Sequence, residues 1–297
     1  MDVARAGVGG GRVAQGSQAG SSARLILGAR LRRLREAADV SPEDAAQAIR
    51  ASRSKISRLE HGRTGFKARD VADLLTLYEV SDDERATMLA LAEHANAGSW
   101  WQEYADVVPG WLEHYLDLER AASLIRTYEV AYIPGLLQTA DYARAVQRSV
   151  HHEAPEAEVE RRVELRLRRQ QVLHRDDPVR LWAVIDESAL RRQVGGTAVM
   201  QVQIAHLIEV SRLSHVNIQV LPLSAGGHPA GGGVTMLRFS EADLPDVVYL
   251  EQMLTAVYLS RPGDSACYRD VLDRLATQAE DLGASAATLE HLLDGRP

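Results

Sequence analysis

Small hydroxyl side chains and long cations alternate over residues 50–63, in a pattern that suits contact with a polyanion. Serines are short enough to let a phosphate or a base edge approach closely, and arginine and lysine reach phosphate oxygens and guanine edges. A serine at a helix N-terminus can also bind a phosphate together with the backbone N–H groups. The candidate contacts with double-stranded DNA are Arg50, Ser52, Arg53, Ser54, Lys55, Ser57, Arg58 and Arg63.

Two short helices joined by a tight turn are predicted to position these donors. Ser41 and Pro42 favour the start of the first helix, and Ser52 can cap the second. In the second helix Ile56 and Leu59 point inward, which leaves the donors on the outer side. This arrangement is a helix-turn-helix, whose second helix can lie in the major groove of DNA.

The charge of the chain is divided unevenly. Residues 24–80 hold 12 Lys and Arg against 8 Asp and Glu, a net charge of +4, whereas residues 81–297 carry −12. The whole chain carries −7. A basic block on an acidic body predicts that the block contacts a polyanion and that the body does not.

Residues 24–80 resemble the XRE-type, or Cro/C1-repressor, helix-turn-helix. The stretches LGARLRRLREAADVSPEDAAQAI and SRSKISRLEHGR carry this resemblance. The sequence departs from the pattern at the turn between the two short helices, where Arg50 stands in the place that usually holds glycine. If the turn needs a positive φ there, Arg50 costs about 1 kcal/mol. Alternatively, the turn differs slightly and Arg50 adds a phosphate contact.

Two domains are predicted for a chain of 297 residues, at ~100–200 residues per domain. A stretch rich in Gly, Ser and Ala over residues 1–23 predicts a flexible tail. Residues 24–95 predict an all-α helix-turn-helix domain of five helices. Over residues 96–297, helices come first and a late meander of strands follows, which predicts an α+β domain with a mixed or antiparallel sheet.

Several residues of the second domain are candidates for contact with a ligand or a partner. The tryptophans belong to an aromatic cluster that is either an interdomain or dimer core or a surface that stacks on a ligand. The arginines lie on a charged helix that is an ion-paired solvent face, an anion site or a second nucleic-acid surface. The histidine lies in a glycine-rich loop that is a mobile surface loop or a lid over a pocket. These residues are Trp100, Trp101, Trp111, Arg166, Arg169 and His228.

Enzyme motifs are absent from the sequence. It contains no GxSxG elbow, no HExxH pair and no phosphate-binding loop, so we expect no catalytic residue, no metal and no cofactor. No apolar run approaches the ~18 residues of a membrane span, and the N-terminus lacks the apolar centre of a secretory signal. The single cysteine cannot form an internal disulfide. We therefore expect a cytoplasmic protein, associated with the nucleoid when bound to DNA.

Residues 100–285 resemble the C-terminal domain of a large group of actinobacterial XRE-type regulators that are described as antitoxin-like. The pieces YIPGLLQTADYARA and LWAVIDESALRRQVGG carry this resemblance. It implies a regulator whose C-terminal domain has no known function and which is often encoded beside a small partner protein.

The sequence as a whole predicts a sequence-specific DNA-binding transcription regulator. We expect a homodimer whose C-terminal domain senses a small-molecule effector or a protein partner. The alternative is an antitoxin-like interaction module that binds a small partner protein and uses DNA binding for autoregulation.

Overall fold

The computed structural model describes residues 10–96, 99–241 and 244–295. The chain divides into two units: Met1–Glu103 with Glu241–Leu244, and Tyr104–Ser240 with Pro245–Pro297. The observed division after Glu103 falls a little later than the predicted division after residue 95.

The five predicted helices of the first unit are present. In the described residues they are α1 (Gly10–Ala37), α2 (Pro42–Ala48), α3 (Arg53–Glu60), α4 (Ala68–Leu77) and α5 (Asp82–Ala95). Serine hydroxyls cap three of them: Ser41 and Ser52, as the sequence predicts, and also Ser81. They accept hydrogen bonds from backbone N–H groups in the first turn of α2, α3 and α5. A single core of leucine, isoleucine, alanine and aromatic side chains joins these helices.

Helix α1 begins earlier than the sequence predicts. Residues 10–23, predicted as part of a flexible tail, are helical, whereas residues 1–9 lie outside the described residues. Leu27 and Leu31 anchor the second half of this helix in the core. Once that half is formed, extending a helix costs far less than starting one, which accounts for the longer element.

Four of these helices end with a residue in the left-handed backbone region. The residues are Asp39, Arg50, Gly62 and Glu79, with φ between 52° and 64°. Each is followed by a residue whose N–H bonds back to a carbonyl in the last turn, as the bond from Ala51 N to Ala46 O (2.8 Å) shows for α2. The turn between α2 and α3 therefore needs a positive φ at Arg50, as the departure from the glycine pattern suggested.

Replacing Arg50 with glycine is expected to raise the free energy of unfolding by about 1 kcal/mol, because glycine adopts this φ without steric cost. The Arg50→Ala variant is the matched control, since it removes the same charge but keeps the Cβ and therefore the strain. Urea unfolding measures both variants. An equal gain for the two variants would contradict the explanation by backbone strain.

Gly28 lets α1 pass very close to the end of α3. A Cβ built on Gly28 would lie 2.4 Å from the carbonyl oxygen of Leu59 and 2.9 Å from that of Glu60. Both of these atoms are backbone, so they cannot move aside as a flexible side chain could. The crossing of α1 and α3, and with it the orientation of the outer face of α3, depends on this glycine.

The Gly28→Ala variant is expected to lower the free energy of unfolding by about 1–3 kcal/mol. The loss occurs even though alanine is the better helix former by about 1 kcal/mol. Gly263→Ala is the control, because nothing lies within 4 Å of a Cβ at that position in α11 (Pro262–Gln278). Thermal unfolding that shows Gly28→Ala to be as stable as this control would disprove the close crossing.

The second unit combines one sheet with several helices, as predicted. In the described residues its helices are α6 (Gly110–Ala121), α7 (Ala140–Val150), α8 (Glu156–Arg169), α9 (Glu187–Arg191), α10 (Thr197–Val210), α11 and α12 (Leu282–Leu293). Its strands are β1 (Leu124–Glu129), β2 (Arg180–Asp186), β3 (Val216–Leu221), β4 (Val234–Arg238), β5 (Val247–Glu251) and β6 (Ala256–Leu259).

The sheet is mixed, with the strand order β3-β2-β1-β4-β5-β6. The first three strands pair in parallel, and β4, β5 and β6 form the predicted antiparallel meander beside β1. Helices connect the parallel strands, as such crossovers require. One face of the sheet packs on α11 through side chains that include Tyr128, Val184 and Val248. Since side chains alternate along a strand, Glu129, Tyr249 and Glu251 lie on the opposite face.

Candidate nucleic-acid interface

The outer face of α3 is exposed. Arg53, Ser54, Ser57 and Arg58 are all exposed, and their spacing places them on one side of the helix. Ile56 and Leu59 occupy the other side and are 1% and 2% exposed. Three further predicted contacts are also exposed at the two ends of α3: Arg50, Ser52 and Arg63. The structure therefore brings seven of the eight predicted residues to this part of the surface.

Lys55, the eighth predicted residue, lies elsewhere. Its Nζ is 2.5 Å from Oδ2 of Asp70 in α4, and the two side chains are 29% and 13% exposed. The ammonium group therefore clamps α3 to α4 and is not presented with the donors of the outer face. The sequence pattern missed this because Asp70 lies 15 residues away and nothing in the helical spacing of α3 marks it as a partner.

Ser52 caps the N-terminus of α3. Its Oγ accepts a hydrogen bond from the N–H of Lys55 (3.3 Å) and lies 3.0 Å from Oγ of Ser54. Two hydroxyls thus sit together at the positive end of the helix dipole, where an anion is favoured.

Arg53 is paired with an acid of α2 but remains accessible. Its Nη1 lies 3.0 Å from Oε1 of Glu43, and the side chains are 72% and 57% exposed. An ion pair this exposed contributes only ~0–1 kcal/mol, so Arg53 can exchange it for a phosphate or a base at little cost.

A buried ion pair holds α3 against α1. The guanidinium of Arg35 donates to both carboxylate oxygens of Glu60, at 2.6 and 3.2 Å, and also to the carbonyl of Val40 at 3.0 Å. Hydrogen bonding to Glu60 raises the pKa of Arg35. Both residues lie in the stretches that resemble the XRE-type domain, but no sequence pattern identified them as partners. Only the three-dimensional crossing of α1 and α3 shows that the pair sets the position of the DNA-facing helix.

The candidates in the second unit fall into separate places. Arg166 and Arg169 lie together on the inner side of α8, near the face of the sheet that carries Glu129. His228 is on the other face, where its Nε2 lies 3.1 Å from the hydroxyl of Tyr128. That hydroxyl donates to Oδ2 of Asp186 at 3.1 Å. The glycine-rich loop is thus attached to the sheet through His228.

The three predicted tryptophans are divided between the two units. Trp100 and Trp101 belong to the first unit, where both are buried in a short 3-10 helix, Trp100–Tyr104. Trp111 is part of α6 in the second unit, and its carbonyl accepts a hydrogen bond from the hydroxyl of Tyr258 (2.6 Å).

Comparison with known families assigns both units. The domain of unknown function DUF5753 matches residues 112–291, which is more than half of the chain. The chain belongs to the DUF5753 family. A helix-turn-helix domain matches residues 26–88, which include the whole of α2, α3 and α4. The helix-turn-helix assignment of the first unit is therefore confirmed, and it indicates DNA binding and transcription regulation.

The DUF5753 domain itself carries no assigned activity. No curated protein and no solved structure matches the chain. Within the described residues, no helix is long and apolar enough to cross a membrane. The actinobacterial origin and the antitoxin-like character implied by the resemblance remain predictions.

Proposed function

We propose that this DUF5753 protein is a sequence-specific transcription regulator that reads DNA with the outer face of α3. The observation that carries this proposal is the shape of α3, which is buried on one side, exposed and rich in donors on the other, and capped by Ser52. A helix of this kind fits the ~12 Å width of the major groove. We infer that Arg53 and Arg58 are the main cations of the contact, in place of Lys55.

We further propose that the protein binds DNA as a homodimer. One helix-turn-helix covers little DNA, and a two-fold pair places its half-sites about one helical turn, ~34 Å, apart. The sheet of the second unit supplies a surface for this pairing. At the β3 edge, the N–H of Val220 donates to Oγ of Ser285 and its carbonyl accepts from the N–H of Glu280, so the edge is covered. Strand β6 forms the other edge of the sheet.

Selection of bound duplexes from a random DNA pool tests this function. We expect a two-fold motif to be enriched at low and at moderate salt concentrations. If Arg53 makes a bidentate base contact, Arg53→Ala relaxes the motif at one position and costs ~1–3 kcal/mol, whereas a uniform loss marks a phosphate contact. Weak, salt-sensitive binding with no enriched motif would contradict sequence-specific recognition.

A second candidate function is that of an interaction module for a small partner protein, with DNA binding serving autoregulation. The turn between β5 and β6 favours it, because Met253 and Leu254 are 90% and 84% exposed. Such apolar exposure marks contact surfaces for proteins. Purification of the protein with the product of a neighbouring gene decides between the two. A stable complex lost in a Met253→Ser/Leu254→Ser variant supports the interaction module.

We propose no catalytic activity for either unit and a cytoplasmic location. The absence of enzyme motifs in the sequence supports the first part of this proposal, and the helix-turn-helix domain, which indicates DNA as a partner, supports the second.

A further inference from the structure

Two carboxylates flank a glycine on one row of the sheet. The register of β1 with β4 pairs Tyr128 with Val234. The next residue of β1, Glu129, therefore lies opposite Gly233. The register of β4 with β5 pairs Thr235 with Tyr249, so Gly233 lies opposite Glu251 on its other side. A Cβ on Gly233 would lie 3.0 Å from Oε2 of Glu129, which confirms that the two residues are neighbours. The glycine leaves room for the Glu129 carboxylate, which lies over it. The backbone positions of Glu129 and Glu251 are roughly two strand spacings, ~10 Å, apart.

Two arginines of α8, Arg166 and Arg169, lie near these acids. Arg169 is held by two hydrogen bonds to a carboxylate. Arg169 donates from Nε and Nη2 to the two oxygens of Glu119, each at 2.9 Å, and its guanidinium lies 5.3 Å from the ring centre of Tyr115. Burial alone would lower the pKa of Arg169, but the charge of Glu119 outweighs it and the pKa lies above its ordinary value. This arginine is a structural part of the unit.

Arg166, one turn earlier, has no such partner. Within the described part of the chain its guanidinium makes no hydrogen bond or ion pair, and its Nε is inaccessible to solvent. Its Nη1 lies against Gly135, where any Cβ would come within 2.5 Å of it. Burial and the charge of Arg169 lower the pKa of Arg166 to about 10.

Glu129 is an acid that also lacks a bonded partner in the described part of the chain. It makes no hydrogen bond with a described residue, and burial and the charge of Glu251 raise the pKa of Glu129 to about 7. Glu251 is exposed at the end of β5 and accepts a hydrogen bond from the hydroxyl of Tyr249 at 3.0 Å. The carboxylate of Glu129 is therefore the more buried of the two, and that of Glu251 lies at the solvent side.

Charged groups of opposite sign that face the same space usually pair when they are buried, because a buried charge without a partner is costly. Arg166 and Glu129 influence each other electrostatically but form no bond. Both side chains are half-buried, so part of each remains open to solvent. We call the space that Glu129, Glu251 and Arg166 border the recess. A small charged molecule there would give Glu129 and Arg166 the partners that they lack among the described residues.

We propose that this recess binds a small zwitterion of the amino-acid class. Its ammonium group lies between Glu129 and Glu251, and its carboxylate pairs with Arg166. The inference names a ligand class for the small-molecule effector that the sequence predicts, and it rests on the proposed function only for an effect on DNA binding. Binding of the zwitterion is measured without DNA, so failure of the recess and failure of DNA recognition are separate results.

Calorimetric titration of the full-length protein with each of the standard amino acids tests the recess. We expect saturable binding of at least one of them, with one site per chain. Acetate and ethylammonium, which carry only one of the two charges, should bind at least tenfold more weakly. The Glu129→Gln and Arg166→Gln variants should each weaken binding at least tenfold. Gly233→Ala, which displaces the Glu129 carboxylate without changing charge, should also weaken it.

Glu164→Gln is the control, because Glu164 is exposed on α8 and the variant changes the same charge away from the recess. Hydrogen exchange of α8 and β1 peptides confirms that each variant is folded. The proposal is overturned if no amino acid binds to the folded wild-type protein. It is also overturned if acetate binds as well as the amino acids do, or if folded Glu129→Gln and Arg166→Gln both bind like the wild type.

Discussion

Replacing Glu60 with glutamine is expected to lower the free energy of unfolding of the first unit by about 3–5 kcal/mol. Arg35 and Glu60 are 9% and 8% exposed, so the variant leaves the guanidinium buried without a compensating charge. A loss of this size approaches the whole stability of an ordinary domain. Because this pair joins α1 to the end of α3, we expect DNA binding to be lost together with the fold of the unit.

Urea unfolding combined with hydrogen exchange of α1 and α3 peptides measures this effect and assigns it to the first unit. The control is Glu36→Gln, which removes the same charge from an exposed i,i+4 pair with Arg32 and from a longer, 3.7 Å contact with Arg35. It should cost less than about 0.5 kcal/mol. A double variant, Arg35→Met/Glu60→Leu, removes both charges and should recover most of the loss. Equal costs for Glu60→Gln and Glu36→Gln would contradict the role of the buried pair.

The second unit is expected to respond in the same way to Glu119→Gln, again by about 3–5 kcal/mol. Glu119 is 1% exposed and Arg169 is 11% exposed, and their two hydrogen bonds join α6 to α8. Removing the carboxylate charge leaves Arg169 beside Arg166 without a hydrogen-bonded carboxylate, so only nearby acids that are not bonded to them, such as Glu251, offset the two cations. Hydrogen exchange of α6 and α8 peptides should then rise, while that of α1 and α3 should not.

Glu113→Gln provides the comparison for this variant, since Glu113 is exposed on the same helix. We expect it to change the free energy of unfolding by less than about 0.5 kcal/mol. If Glu119→Gln unfolds no more readily than Glu113→Gln, the pair with Arg169 contributes nothing to stability, and the account of α8 is wrong.

Local signals in the sequence were sufficient for the helix-turn-helix. The caps at Ser41, Ser52 and Ser81 and the apolar spacing of Ile56 and Leu59 are encoded within a few neighbouring residues. The strands of the second unit were found for the same reason, since each is a short apolar run between turn signals. A mixed sheet was one of the two predicted alternatives and is confirmed. Which strands pair in parallel was not predicted, because this depends on how helices cross between strands and not on any strand's own pattern.

The contacts that depend on distant residues were missed. Lys55 was predicted as a DNA contact because charge and spacing cannot show that Asp70 holds its ammonium group. Helix α12 was also missed. The charged residues just before it are typical of a helix end, so no further helix was predicted after α11. The recess over Gly233 needed the sheet register, which aligns three strands that are far apart in sequence.

The affinity of the full-length protein for the selected duplex tests most directly whether the outer face of α3 binds DNA. Fluorescence anisotropy compares the wild type with Arg53→Ala/Arg58→Ala and with the control Arg180→Ala/Arg212→Ala, which removes two exposed charges from the second unit. We predict that the α3 variant binds at least about tenfold more weakly, while the control stays within about twofold. For each of the two arginines that contacts a phosphate, the slope of log K against the logarithm of the salt concentration should also decrease in magnitude by about one. Equal affinities for the two double variants would show that α3 does not provide the DNA contact.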